Sequence, residues 1–183
     1  MRRTFHFTII LIALFVLSAS TTSFALDNKA DEGSTVPKSL KVGDDCIDFS
    51  LKNGLTKEDV SFFRDIIGKH EITAILFMTT TCSACKAEMA LLHNIASKND
   101  GFKLYAVCVD MEGELTIPAY HEEYGFKATY MLDPDFTIPS KFGFIYTPGL
   151  VLLDKEGKII LLKGGFAPKK KYDFIEKIES FLN

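Results

Sequence analysis

The sequence predicts an α/β sandwich in which helices pack on a mixed β-sheet. Two apolar runs of strand length, 72–78 and 102–109, are separated by a segment with helical apolar spacing. Near the carboxyl terminus, the apolar runs 150–153 and 158–162 flank a short polar turn, and the amphipathic segment 172–182 follows. Strands separated by helices favour parallel pairing, whereas strands joined by a short turn pair antiparallel. The predicted sheet therefore contains both arrangements.

The other elements are predicted in chain order from local patterns. Alternation at 46–51 indicates a short edge strand, and apolar spacing at 58–67 indicates a helix. Segment 83–97 carries Met89, Leu92 and Ile95 on one stripe and is expected to be helical. Further along, the patterns predict a helix at 117–124, a strand at 130–132 and, after a turn at 133–135, a helical turn at 138–142.

The first 25 residues have the pattern of a secretory signal peptide. Arg2 and Arg3 precede an apolar run at 7–17, and Ser23 and Ala25 stand where small residues precede a cleavage site. The run is shorter than the roughly 20 residues of a membrane-spanning helix, and an uncleaved membrane anchor is the alternative. We expect a periplasmic or other extracytoplasmic protein. Its parts are a signal peptide at 1–25, a flexible linker at 26–41 and one folded domain at 42–183.

Composition and charge exclude several classes of protein. With 47% hydrophobic and 25% charged residues, the chain is suited to a globular fold. Its net charge of −3 lacks the basic excess of nucleic-acid-binding proteins, so no nucleic acid partner is expected. Four cysteines in 183 residues are too few for a small domain held together by disulfides.

The cysteine pair Cys82 and Cys85 lies between a predicted buried strand and a helix that opens near Ser83. Free backbone N–H groups and the helix dipole favour a thiolate on Cys82, which makes it the expected nucleophile. Cys85 lies about one turn further in and is the expected resolving thiol of a redox disulfide. The pattern alone also fits half of a zinc site or a structural disulfide, and four cysteines allow three pairings.

Several ordered motifs resemble those of the TlpA/ResA-like family of extracytoplasmic thiol–disulfide oxidoreductases, which have the thioredoxin fold. They are 41–45 and 48–51, Cys85-Lys86-Ala87-Glu88, 132–135, Phe142-Gly143, and Thr147-Pro148 before the terminal hairpin. The resemblance spans roughly 42–183. It implies a thioredoxin-like three-layer sandwich, a central mixed sheet flanked by helices, with the N-terminal extension and central insertion of that family.

The resemblance also implies roles for residues outside the cysteine pair. Pro148 would be the cis-proline beside the cysteines, and the main chain of Thr147 would bind an extended segment of a partner. Glu88 would tune the pKa of the cysteines and assist proton transfer. The expected partners are protein thiols or disulfides and a membrane thiol that donates electrons. The protein would act as a monomeric reductant, for example in cytochrome c maturation, with no cofactor and no metal.

Two other functions share parts of the pattern. Thr79 and Cys82 match the T-x-x-C portion of the peroxiredoxin motif, although Ile75 stands where that motif has a proline. A copper-delivery protein on the same fold would carry C-x-x-x-C with a distant histidine, such as His121. The cysteine spacing here is one residue shorter than in that pattern.

The remaining features leave the direction of electron flow open. Thr81 replaces the aromatic residue that usually precedes the first cysteine of thioredoxin-like sites, and Leu76 stands where thioredoxins carry a buried aspartate.

Cys108 lies in a buried strand pattern, where a free cysteine behaves as a small hydrophobic residue. A disulfide between Cys46 and Cys108 is the alternative.

Overall fold

The computed structural model describes residues 39–182. The predicted signal peptide, its alternative as a membrane anchor and most of the predicted linker lie outside this range. The elements are β1 Ser50–Asn53, β2 Asp59–Ser61, α1 Phe62–Asp65, β3 Ile72–Met78, α2 Ser83–Lys98, β4 Phe102–Cys108, α3 Gly113–Tyr124, β5 Thr129–Leu132, α4 Thr137–Lys141, β6 Gly149–Asp154, β7 Ile159–Gly164 and α5 Lys171–Glu179.

The seven strands form one mixed sheet in the order β2-β1-β5-β4-β3-β6-β7. Strand β4 is parallel to both of its neighbours, β3 and β5, because helices α2 and α3 connect these strands. Strand β6 is antiparallel to both β3 and β7, and a short turn joins β6 to β7. This topology confirms the predicted α/β fold with a mixed sheet.

The core has two halves, one on each face of the sheet. Along β3, Ile72, Ala74, Leu76 and Met78 face one half, whereas Ile75 and Phe77 face the other, as expected from the alternation of side chains along a strand. The first half is covered by α2, α3 and α5, and the second by α1 and α4. The result is three layers with the sheet in the middle.

The prediction was wrong in part between residues 46 and 67. The strand expected at 46–51 begins only at Ser50 and is not at the sheet edge, because β2 pairs on its outer side through Leu51 and Val60. Backbone pairing with β1 thus overrides the helical apolar spacing of the segment that starts at Glu58. The helix expected there is reduced to α1, and the Asp65 carboxylate accepts a hydrogen bond from Ser61 N–H (2.8 Å) where strand becomes helix.

Helix α3 begins four residues before its predicted start and continues through Pro118. Proline has no N–H, so the carbonyl of Glu114, four residues earlier, cannot receive its usual helical hydrogen bond. The ammonium of Lys57 donates to that carbonyl instead, at 3.2 Å. A long-range contact therefore satisfies the backbone group that Pro118 leaves free, and the helix extends further than local sequence indicates.

Candidate active site

The cysteine pair lies at the end of the sheet where strands β3 and β4 finish and strand β6 begins. Met78 at the end of β3 pairs with Cys108 at the end of β4, and Phe77 pairs with Gly149 at the start of β6. Residues that directly follow β3 and β4, or precede β6, are therefore brought together. They include the loop leading to Cys82, the residues after Cys108, and Thr147-Pro148.

Cys82 and Cys85 form a disulfide across the first turn of α2, with their Cα atoms 5.2 Å apart. Cys82 is the N-cap residue of this helix, and its Sγ accepts a hydrogen bond from the backbone N–H of Cys85 at 3.1 Å. Cys82 is partly exposed, whereas Cys85 is fully buried. Of the two cysteines, Cys82 is therefore the one open to contact from the solvent.

Asp110 anchors the loop that carries Cys82. One of its carboxylate oxygens accepts hydrogen bonds from both the backbone N–H and the hydroxyl of Thr80, at 2.8 and 2.6 Å. The Cys108 thiol donates to the same oxygen at 3.5 Å. Sequence reasoning missed this residue, although an acidic residue just after a buried strand parallel to β3 was an available signal.

Glu88 lies on α2, one turn beyond Cys85, and its side chain is fully buried. Its Oε1 accepts a hydrogen bond from the Lys163 ammonium at 2.7 Å, while its Oε2 has no hydrogen-bond partner among residues 39–182. Burial raises the pKa of Glu88, and the nearby charge of Lys163 opposes that rise. The carboxylate thus depends on one cation for its charge.

Lys163 comes from β7, on the other side of β6, and sequence analysis did not identify it. Its ammonium also donates to the carbonyl of Gly165 and lies 4.8 Å from the ring centre of Phe174 and 5.8 Å from that of Phe166. These contacts hold the cation in place even though its side chain is 25% exposed. No local pattern links positions 88 and 163, so only the folded sheet reveals the pair.

Thr147 and Pro148 precede β6 and are joined by a cis peptide bond. Pro148 is buried, and its carbonyl accepts a hydrogen bond from Gly165 N–H at 2.7 Å. Thr147 is partly exposed, and the two side chains before it, Ile145 and Tyr146, are 86% and 57% exposed. The loop beside the cysteines therefore presents apolar surface to the solvent.

The other two cysteines are free and buried. Cys46 packs in the half of the core beneath α1 and α4, whereas Cys108 packs in the half beneath α2, on the opposite face of the sheet. The alternative disulfide between them is not formed. Burial raises the pKa of each thiol to about 12, so neither is a nucleophile near neutral pH.

Residues 39–182 were searched for groups of metal-ligating side chains and for helices that could span a membrane. In that range no three His, Cys, Asp or Glu side chains are grouped to hold a metal ion. His121, the histidine of the copper-delivery alternative, lies on α3 with its ring 5.5 Å from that of Tyr130. None of the helices in the described range is both long and apolar enough to span a membrane.

Several known proteins are similar to this chain in sequence or in structure. Thiol-disulfide oxidoreductase ResA of Bacillus thuringiensis is 27% identical over 105 residues, which are 56% of this chain and 60% of that protein. Among solved structures, a protein described as thiol:disulfide interchange protein DsbE from Chlorobium tepidum is 23% identical with a TM-score of 0.70, and the match covers 79% of this chain and all of that one. The thioredoxin domain of a thiol-disulfide oxidoreductase from Bacteroides vulgatus is 24% identical with a TM-score of 0.62, over 79% and 100% of the two chains.

The family model that matches residues 42–161 is that of the AhpC/TSA family, and this range is more than half of the chain. Both structural matches agree with a thioredoxin-like fold. The chain therefore belongs to the AhpC/TSA family and, within it, is similar to the TlpA/ResA-like thiol–disulfide oxidoreductases.

Proposed function

We propose that this protein is an extracytoplasmic thiol–disulfide oxidoreductase that exchanges disulfides with protein thiols through Cys82 and Cys85. The observation that carries the proposal is the disulfide at the start of α2, in which Cys82 is partly exposed and Cys85 is buried. The match to ResA supports it, although the chain spans only 60% of that relative's length. The signal-peptide pattern at 1–25 supports export.

In the reducing direction, the Cys82 thiolate attacks one sulfur of a client disulfide. A mixed disulfide forms between Cys82 and the client, and the second client sulfur leaves as a thiolate. Cys85 then attacks Cys82 Sγ, which breaks the mixed disulfide and closes the Cys82–Cys85 bond. Two electrons pass to the client, and the two protons of the cysteine pair end on its two thiols. A dithiol of a membrane protein would reduce the pair again.

Glu88 is the proposed proton acceptor for Cys85. Cys85 must lose its proton to attack Cys82, and in its buried position water cannot take the proton directly. Glu88 follows one turn later on the same helix and has one carboxylate oxygen without a hydrogen-bond partner in the described range. Its raised pKa brings it closer to neutral pH, where a general base is most effective.

Thr147 and Pro148 are the proposed contacts for the client's main chain. Thr147 is partly exposed, follows the exposed side chains of Ile145 and Tyr146, and comes just before the start of β6, which pairs with the end of β3. This position suits the binding of an extended client segment.

Trapping of the mixed disulfide tests the proposal. In a Cys85→Ser variant the second step is blocked, so Cys82 should remain covalently bound to clients in extracts of the cell envelope. A Cys82→Ser variant is the matched control, because its remaining thiol at Cys85 is buried and should trap no client. If neither variant, or both equally, forms mixed disulfides, the assignment of an attacking Cys82 is wrong.

The reduction potential decides the direction of exchange. We expect equilibration with a thiol buffer to give a value of about −250 mV or below, near that of thioredoxin, as suits a reductant supplied by a membrane dithiol. A value near −120 mV would instead make the protein a disulfide donor. Rapid consumption of hydrogen peroxide by the reduced protein would favour the thiol peroxidase alternative.

A further inference from the structure

Two neighbouring clefts lie between the cysteine helix and the end of β7, and together they are called the groove below. Their volumes are about 460 and 430 Å³, and Phe166 and Lys171 line both. Ala87, two residues after Cys85, lies at one end, and Lys163 and Phe174 line the other. The groove is large enough to receive several side chains of a bound segment.

Two contacts connect lining residues of the groove to the candidate active site. Gly165, which lines it, donates its N–H to the carbonyl of Pro148 at 2.7 Å. Lys163, in the same wall, contacts the buried Glu88 through its ammonium. The Tyr146 side chain lies over Gly164 and Gly165, where added Cβ atoms would be 3.2 and 3.8 Å from it, so a segment bound at Thr147 would pass this ring to reach the groove.

The rim of the groove is positively charged. Lys170, Lys171 and Lys177 line it, and Asp173 is the one carboxylate among its described lining residues. No carboxylate within residues 39–182 forms an ion pair with these three lysines, although the chain as a whole carries a net charge of −3. Lys171 is also the first residue of α5, where the helix dipole is positive and adds to the attraction for anions.

We propose that this groove selects clients whose reactive cysteine is flanked by an acidic, partly apolar segment. Carboxylates of that segment would pair with Lys170, Lys171 and Lys177, and its apolar side chains would pack on Phe166 and Phe174. This inference rests on the proposed function, because it concerns the client of the same cysteine pair. A polypeptide is favoured over a free anion because apolar side chains, among them Leu91 and Ile175, line the groove beside the lysines, and a free anion would leave them uncovered.

The test compares two peptides that each contain the same disulfide. One carries glutamates and a leucine next to the cysteine, and the other carries lysines in place of the glutamates. At low ionic strength we expect the dithiol form of the protein to reduce the acidic peptide with a second-order rate constant about tenfold higher than that for the basic peptide, since complementary charge mainly speeds association. The preference should shrink as salt is added, because these charges are exposed.

Two variants assign the preference to the groove. Lys170→Glu/Lys171→Glu should abolish or reverse it, whereas Lys69→Glu, at an exposed position just before β3 and thus toward the opposite edge of the sheet, should leave it largely intact. Reduction of the uncharged hydroxyethyl disulfide provides the reference. Equal rates for that reagent in wild type and the double variant would show that the variant is folded and chemically competent.

Each outcome separates the two proposals. If hydroxyethyl disulfide and both peptides are left unreduced, the proposed function fails. If the uncharged reagent is reduced but the two peptides react equally, the inference about the groove is wrong while the proposed function stands. If wild type shows no peptide preference but binds anionic phospholipid vesicles and the double variant does not, the basic rim faces a membrane and the inference is also overturned.

Discussion

The buried pair of Lys163 and Glu88 gives the sharpest prediction about stability. Lys163→Met keeps most of the side chain's apolar stem but removes the charge that lies 2.7 Å from the Glu88 carboxylate. Glu88 is fully buried and its other oxygen has no partner within residues 39–182, so no second group there can replace the lost cation. We therefore expect the variant to be destabilised well beyond the loss of packing.

Removal of one partner from a buried ion pair typically costs 3–5 kcal/mol. Lys163 is 25% exposed, and water can partly replace it. We therefore expect the low end of that range, about 3 kcal/mol, where Glu88 is ionised in the unfolded chain.

The loss should depend on pH in a defined direction. Burial already raises the pKa of Glu88 above its ordinary value of 4.5, and removal of Lys163 would raise it further. Above pH 4.5 the unfolded chain releases a proton that the folded variant retains, so the free energy of unfolding falls as pH rises. Below pH 4.5 Glu88 is protonated in both states, and wild type and variant should differ much less.

Urea unfolding of the oxidised protein at pH 4, 6 and 8 measures this effect. The variants are Lys163→Met, Glu88→Gln and the double variant. At pH 8 the double variant should lose less stability than the two single variants lose together, because it leaves no unpaired buried charge. Lys158→Met is the matched control. Its ion pair with Asp45 also has a short distance of 2.9 Å, but both side chains are exposed, so we expect no resolvable loss.

The reasoning would be refuted if Lys163→Met and Lys158→Met showed the same small loss at every pH. A large loss that does not change between pH 4 and pH 8 would also count against it, because the packing of the lysine stem, and not its charge, would then be the cause.

Two further predictions concern the packing around Gly149 and the burial of the two free cysteines. Gly149→Ala would place a Cβ 2.8 Å from a ring carbon of Phe144, and we expect thermal unfolding to show a loss of about 1–3 kcal/mol. Gly101→Ala would place its Cβ 3.3 Å from the Cγ of the exposed Glu71, a longer distance, and should cost clearly less. Equal effects of the two substitutions would contradict this packing argument. Cys46 and Cys108, whose pKa values are about 12, should resist iodoacetamide at pH 8 in the native oxidised protein and react after unfolding in urea. Reaction of either thiol in the native state would show that its burial is not maintained in solution.

Much of the fold could be predicted because its signals are local. The continuous apolar run of β3 and the apolar stripe of α2 are properties of neighbouring residues, and the structure places both elements within a residue of the prediction. The position of the cysteine pair at the start of α2 followed from the same two patterns. The failure at 58–67 has the opposite origin, since the choice between strand and helix there depends on pairing with β1.

Periodicity and motif spacing act over a few residues, and they were enough to predict the α/β class, the order of the main elements and the place of Cys82 and Cys85. The charges around those cysteines depend instead on contacts between distant parts of the chain. The contact of Lys163 with Glu88 joins residues 75 positions apart, and that of Asp110 with Thr80 joins residues 30 positions apart. Such contacts arise where strands that are distant in the chain finish at the same end of a sheet. This proximity exists only once all of these strands have paired.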